Sequence, residues 1–216
     1  MGFLKKFTKQ EISWMMYDWA NSAHSVIVVT ILPIFFDTVA GYTADSVSSM
    51  STWGFATSLA MAIVALSAPF LGVFGDIRDM RKKLFTAFLL LGVVSVAGLA
   101  FTPLMDFTSS PAAAGKVASM VLVLYILSTI GFDASCIYYD AFLTDVTTEE
   151  RMDSVSTLGY GLGYIGGSTI PLLIFLIMNA VGVPMLTSLA IIFAITAVWW
   201  LVFSLPLLKN CEQTTG

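Results

Sequence analysis

The chain has 216 residues, 57% of them hydrophobic and only 11% charged, with a formal net charge of −4 and a mean hydropathy of +0.88. Charge this sparse is below half the level usual in soluble domains, and the apolar runs reach about twenty residues without the in/out alternation of barrel strands. A soluble domain and a β-barrel are excluded, no basic patch points to nucleic acid, and the chain reads as an all-α integral protein whose first partner is the lipid bilayer.

Residues 1–13, "MGFLKKFTKQEIS", carry lysines but no apolar core, so they do not form a cleavable signal peptide. Lys6 stands where a myristoylation motif wants Ser or Thr. Six spans are predicted at about 14–38, 51–75, 84–104, 117–143, 155–180 and 184–207. They make one six-helix bundle over 14–208, and 209–216 is a short tail. The connections are short and turn-rich: "GYTADSVSS", "GDIRDMRKK", "MDFTSSPAAAGK", "DVTTEERMD" and "VGVP".

The first span opens with "MMYDWANSAHS". On a helical wheel Tyr17, Asp18, Asn21, Ser22, His24 and Ser25 gather on one side, while Trp19, Ala20, Ala23, Val26 and Ile27 take the rest. A charged side chain in the bilayer is expensive, so this face lines a protein interior or a water-filled cavity rather than lipid. The competing reading is a structural hydrogen-bond network between helices.

Between the second and third spans lies "GVFGDIRDMRKKLF", residues 72–85. Asp76 sits where a carboxylate can meet a helix N-terminus or an arginine. Arg81, Lys82 and Lys83 form the densest basic run of the chain.

The fourth span places Thr129, Asp133, Cys136 and Asp140 on one face. Asp133 and Asp140 are two turns apart, roughly 10 Å along the axis. Burial makes a carboxylate harder to ionise and able to exchange protons near neutral pH. The spans contain no Lys or Arg, so His24 is their only cationic candidate. Asp18, His24 and Asp133 are the smallest set that could form a proton relay.

The fifth span reads "STLGYGLGYIGGS". Gly159, Gly163 and Gly167 recur every four residues, with Gly166 and Ser156 beside them, and such a face lets two helices meet backbone to backbone. A hinge or gate is the sharper alternative. Cys136 and Cys211 fit no metal spacing and read as free thiols; no metal site, cofactor or catalytic residue is expected.

Orientation follows from the basic residues. Lys5, Lys6, Lys9, Arg78, Arg81, Lys82, Lys83, Arg151 and Lys209 share one side, and Lys116 alone lies on the other. Both termini are therefore expected in the cytoplasm, as an even number of spans also requires.

The loop at 72–85 resembles the signature loop of the major facilitator superfamily, roughly G-x-x-x-D-x-x-G-R-[RK]. Gly72 and Asp76 match, Asp79 replaces the second glycine, and the arginine is displaced to Arg81. Together with "YDWANSAHS", "YYDAFLTDVTTEERMD" and the fifth-span glycines, it resembles the branch of autophagy-related vacuolar amino-acid effluxers and their bacterial relatives. In that branch the fourth span ends Tyr-Asn-Ala-Phe-Leu-Pro-Asp, where this chain has Asp140 and Thr144.

The resemblance implies the superfamily's N-terminal six-helix bundle, in the inner membrane if the source is bacterial. It implies half of a secondary transporter moving a small polar solute, amino acids first. Tyr17, Asp18, Asn21 and Ser25 would touch the solute, and Asp18, His24 and Asp133 would carry protons. Asp76, Arg81, Asp140, Gly159, Gly163 and Gly167 would serve conformational change. The missing wall would come from a second six-helix half, as a separate chain or a second copy. Two other classes are weighed. One is a non-transporting membrane subunit or scaffold. The other is an intramembrane aspartyl protease using the "YD" at 17–18 and the "GFD" at 131–133.

Overall fold

The structure is a computed structural model and describes residues 6–43 and 49–214. Lys5 and most of the loop between the first two spans lie outside the described residues. Six helices are long and apolar enough to cross a membrane: α1 (Lys9–Ala40), α2 (Ser49–Asp76), α3 (Arg81–Leu99, followed by a 3₁₀ turn Thr102–Leu104), α4 (Pro111–Val146), α5 (Glu149–Ala180) and α6 (Met185–Asn210). No strand occurs among the described residues.

The helix ends follow from local chemistry. Thr8 and Glu11 form a reciprocal capping box at α1, with Thr8 N donating to Glu11 Oε2 at 2.7 Å and Glu11 N to Thr8 Oγ1 at 3.1 Å. Ser110 caps α4 through Ala113 N, and Pro111 occupies the first helical position, where no amide is needed. α5 ends at Gly182, whose φ of 87° closes the turn. Val183 N donates to the Met178 carbonyl at 2.9 Å and Gly182 N to the Asn179 carbonyl at 3.1 Å.

α1 is the most enclosed helix, with 50% of its apolar window buried, and α2 the least, with 11%. α1 packs on α5 and α6, while α3 packs on α4 and α6 and α2 leans on α4. Tyr17, Phe85, Tyr138, Phe142, Phe193 and Trp200 fill the centre and have almost no exposed surface. α2 turns Phe55, Leu66, Phe70 and Val73 outward, as a bilayer or a second bundle requires and water does not permit.

Gln10 and Cys211 meet at one end of the bundle, where the Cys211 thiol donates to the Gln10 carbonyl at 3.7 Å. Arg81, Lys82 and Arg151 gather at that same end. Lys82 Nζ donates to the Cys211 carbonyl at 3.1 Å, and Arg151 Nη2 to the Lys6 carbonyl at 2.9 Å.

Candidate functional site

The polar side of α1 divides in two. Tyr17 and His24 turn into the bundle, toward α4 and α6. The Tyr17 hydroxyl lies 2.7 Å from Ser135 Oγ, and Trp200 Nε1 donates to it at 3.4 Å. His24 Nε2 lies 3.3 Å from Ser128 Oγ, and its ring stacks on Phe132 with 4.7 Å between centroids. Serines of a neighbouring helix take up the phenol and one nitrogen of the imidazole, which lets both rings sit in an apolar interior, so polarity alone did not separate them from the cavity-facing residues.

Asp18, Asn21, Ser22 and Ser25 instead line a groove of about 740 Å³ between α1, α4 and α5. α4 contributes Phe132, Cys136, Tyr139 and Asp140, and α5 contributes Tyr160, Tyr164 and Ser168. Asn21 Nδ2 donates to Cys136 Sγ at 3.8 Å. Of the residues expected to contact solute, the groove holds Asp18, Asn21 and Ser25, and Tyr17 stands behind its wall. Of the expected proton relay it holds Asp18 alone. Asp133 is half-buried on α4 and does not line the groove, and His24 is sealed in the core. Asp140, expected to serve conformational change, joins Asp18 here.

The glycines of α5 set the depth of this groove. A Cβ at Gly159 would stand 2.8 Å from Asp18 Oδ2, one at Gly163 2.6 Å from Ser22 Oγ, and one at Gly167 would strike the Trp19 carbonyl. α5 therefore lies backbone-close against α1. Ser168 Oγ donates to the Ser22 carbonyl at 3.3 Å across the same contact. Both helices widen into π turns here, at Ile27–Ile31 and Gly163–Ser168. Such turns are often found at functional sites.

A second cluster closes the basic end. The Arg81 side chain, 5% exposed, pairs with the fully buried Asp145 carboxylate and with Asp76 at 3.5 Å. Its Nη1 also donates to the Ala141 carbonyl at 3.1 Å. The tail wraps over this pair: Thr214 N donates to Asp145 Oδ1 at 2.9 Å, and Gln213 Nε2 to the Gly75 carbonyl at 3.2 Å. Asp145 was missed in the sequence, although it is the final Asp of "YDAFLTD". Also missed was Glu11, which is 1% exposed. Arg151 grips it through Nε and Nη2, both at 2.8 Å, tying the start of α1 to the α4–α5 turn.

Asp79 has a φ of 63°, the left-handed conformation that glycine adopts at no cost and other residues adopt with strain. It occupies the position where the signature pattern has glycine. Asp79→Gly is expected to leave the fold intact and stabilise it by about 0.5–1 kcal/mol, seen as a higher melting temperature in detergent.

Both cysteines are free. Burial pushes the Cys211 thiol up to about 12, with the Lys82 ammonium offsetting only part of the shift. The thiolate is the reactive form, so at pH 8 Cys211 is expected to resist maleimide in the folded chain. It should label at the ordinary thiol rate once denaturant opens the Gln10 contact, which mass spectrometry of the C-terminal peptide reads directly.

A family model described as "Vacuole effluxer Atg22 like" matches residues 7–215. An uncharacterized MFS-type transporter of Bacillus subtilis (strain 168), YxiO, is 40% identical over 218 residues, covering 97% of this chain and 48% of the relative. The chain thus spans about half the length of the curated relative it matches. No solved structure matches. Both similarities point to a transporter and not to an enzyme.

Proposed function

The chain belongs to the vacuole effluxer Atg22-like family, and we propose that it forms one half of a secondary active transporter working by alternating access. The observation that carries this is the groove. It places Asp18, Asn21, Ser22, Ser25 and Asp140 within the membrane-spanning region, where polar side chains are kept for solute and ion pathways. A second six-helix half, from another chain, a second copy or the remainder of a longer protein, would close the open side. The solute is small and polar, with amino acids the first to test.

The end of the bundle where Gln10 and Cys211 meet is proposed to face the cytoplasm, on the strength of the basic residues gathered there. At that end Asp76 is 78% exposed on its side chain, free to meet a helix of the other half as the bundles rock. Uptake of labelled amino acids into liposomes, with and without a candidate second half, tests the reading. A non-transporting scaffold would give no flux under either condition.

Proton coupling is assigned to Asp18 and Asp133. Asparagine keeps the shape and hydrogen bonds of aspartate but carries no proton. Asp18→Asn or Asp133→Asn is expected to abolish pH-driven accumulation while sparing exchange of labelled for unlabelled solute. Unchanged pH-driven uptake in both variants, measured with the second half present, would remove these residues from the role. The position of Asp133 off the groove makes Asp18 the variant with the larger expected loss.

A further inference from the structure

We infer that the groove selects organic amines, solutes that carry an ammonium group and no carboxylate, and that Asp140 sets this preference. The inference rests on the transport reading for its location, and within the class of small polar solutes it sets amines ahead of amino acids.

Charge is the first observation. Asp18 and Asp140 both line the groove, and no Lys, Arg or His lines it among the described residues. An ammonium ion there meets two carboxylates. The carboxylate of a zwitterion meets the same two negative charges, with neutral groups such as Asn21, Ser22 and Ser25 to offset them. The sign of that interaction favours the amine over the zwitterion.

Shape is the second. Phe132, Tyr139, Tyr160 and Tyr164 present aromatic rings to the same space, and ring faces attract desolvated cations. Tyr160 and Tyr164 face each other on successive turns of α5, their hydroxyls 3.1 Å apart and their ring centroids 4.8 Å apart.

The third is Tyr139. The residue is 4% exposed, lines the groove and lies beside Asp18. A phenol whose proton is directed at Asp18 leaves its oxygen lone pairs for a donor. A bound ammonium supplies that donor, and a carboxylate does not.

Decarboxylated pairs test this, because they differ only in the group the groove is argued to reject. The chain is purified in its native assembly into nanodiscs, and cadaverine is compared with lysine and tyramine with tyrosine by equilibrium binding. Each amine is expected to bind about tenfold or more tighter than its parent amino acid. Asp140→Asn should bring that ratio close to one by weakening the amine, and Asp140→Glu should keep it.

Equal or tighter binding of the amino acids, no binding of either amine, or a ratio unmoved in Asp140→Asn would each overturn the inference. Counterflow of labelled cadaverine in proteoliposomes reads the transport proposal separately. A chain that binds amines selectively and moves none retains this inference and loses that one.

Discussion

Arg81→Met is expected to destabilise the chain by about 3–5 kcal/mol, the cost of leaving a buried charge without its partner. The Arg81 and Asp145 side chains are 5% and 0% exposed and form an ion pair. Arg81 also holds Asp76 and the Ala141 carbonyl, so a single guanidinium joins the α2–α3 loop to the end of α4. Methionine fills much of the space but pairs with none of these oxygens. Asp145 would keep its hydrogen bonds from Thr214 but lose the guanidinium charge beside it.

Thermal melting in detergent should show the loss, and proteolysis should find the residues after Asn210 released from the bundle. The companion variant decides the cause. Arg81→Met combined with Asp145→Leu removes both charges, and it is expected to recover most of the stability. A double variant as unstable as the single one would mean that packing, not the stranded carboxylate, dominates.

Gly131→Ala is the other change with a large expected effect. A Cβ at Gly131 would stand 2.5 Å from Gly92 N, 2.7 Å from Gly92 Cα and 2.7 Å from the Phe88 carbonyl. All three are backbone atoms of α3, which no rotamer change can move. α3 and α4 would have to separate along their shared contact, costing about 3 kcal/mol, the upper range for overpacking. The neighbouring core supports this contact with the Trp200 ring, which fills the space where a Cβ on Gly92 would stand.

Gly54, Gly115 and Gly161 serve as controls, since a Cβ at each would meet nothing within 4 Å. Alanine there should be neutral or mildly stabilising, because alanine favours the helix by about 1 kcal/mol over glycine. Equal yields of folded protein for Gly131→Ala and Gly161→Ala, measured by size-exclusion of detergent extracts, would contradict the geometry.

The sequence by itself determined the number of spans, the clustering of basic residues at one end and the family. These depend on quantities summed along the chain: the apolar length needed to cross a bilayer, the bias of Lys and Arg, and consecutive motif residues. It also marked Gly159, Gly163 and Gly167 as a close-packing face, because a spacing of four repeats one side of a helix whatever the neighbour is.

Which neighbour lies on each face was left to the tertiary structure. The helical wheel put Tyr17, Asp18 and His24 on one polar side, and only the positions of α4, α5 and α6 split that side. Ser128, Ser135 and Trp200 take Tyr17 and His24 into the core, while Asp18 is left facing Asp140 and Tyr139 across the groove. The same reason hid Glu11 with Arg151, Arg81 with Asp145, and Gly131 against Gly92. Each pair is joined by distance in space and separated in sequence, so no local pattern announces it. Burial and charge pairing are properties of contacts, and contacts between helices exist only once the bundle has closed.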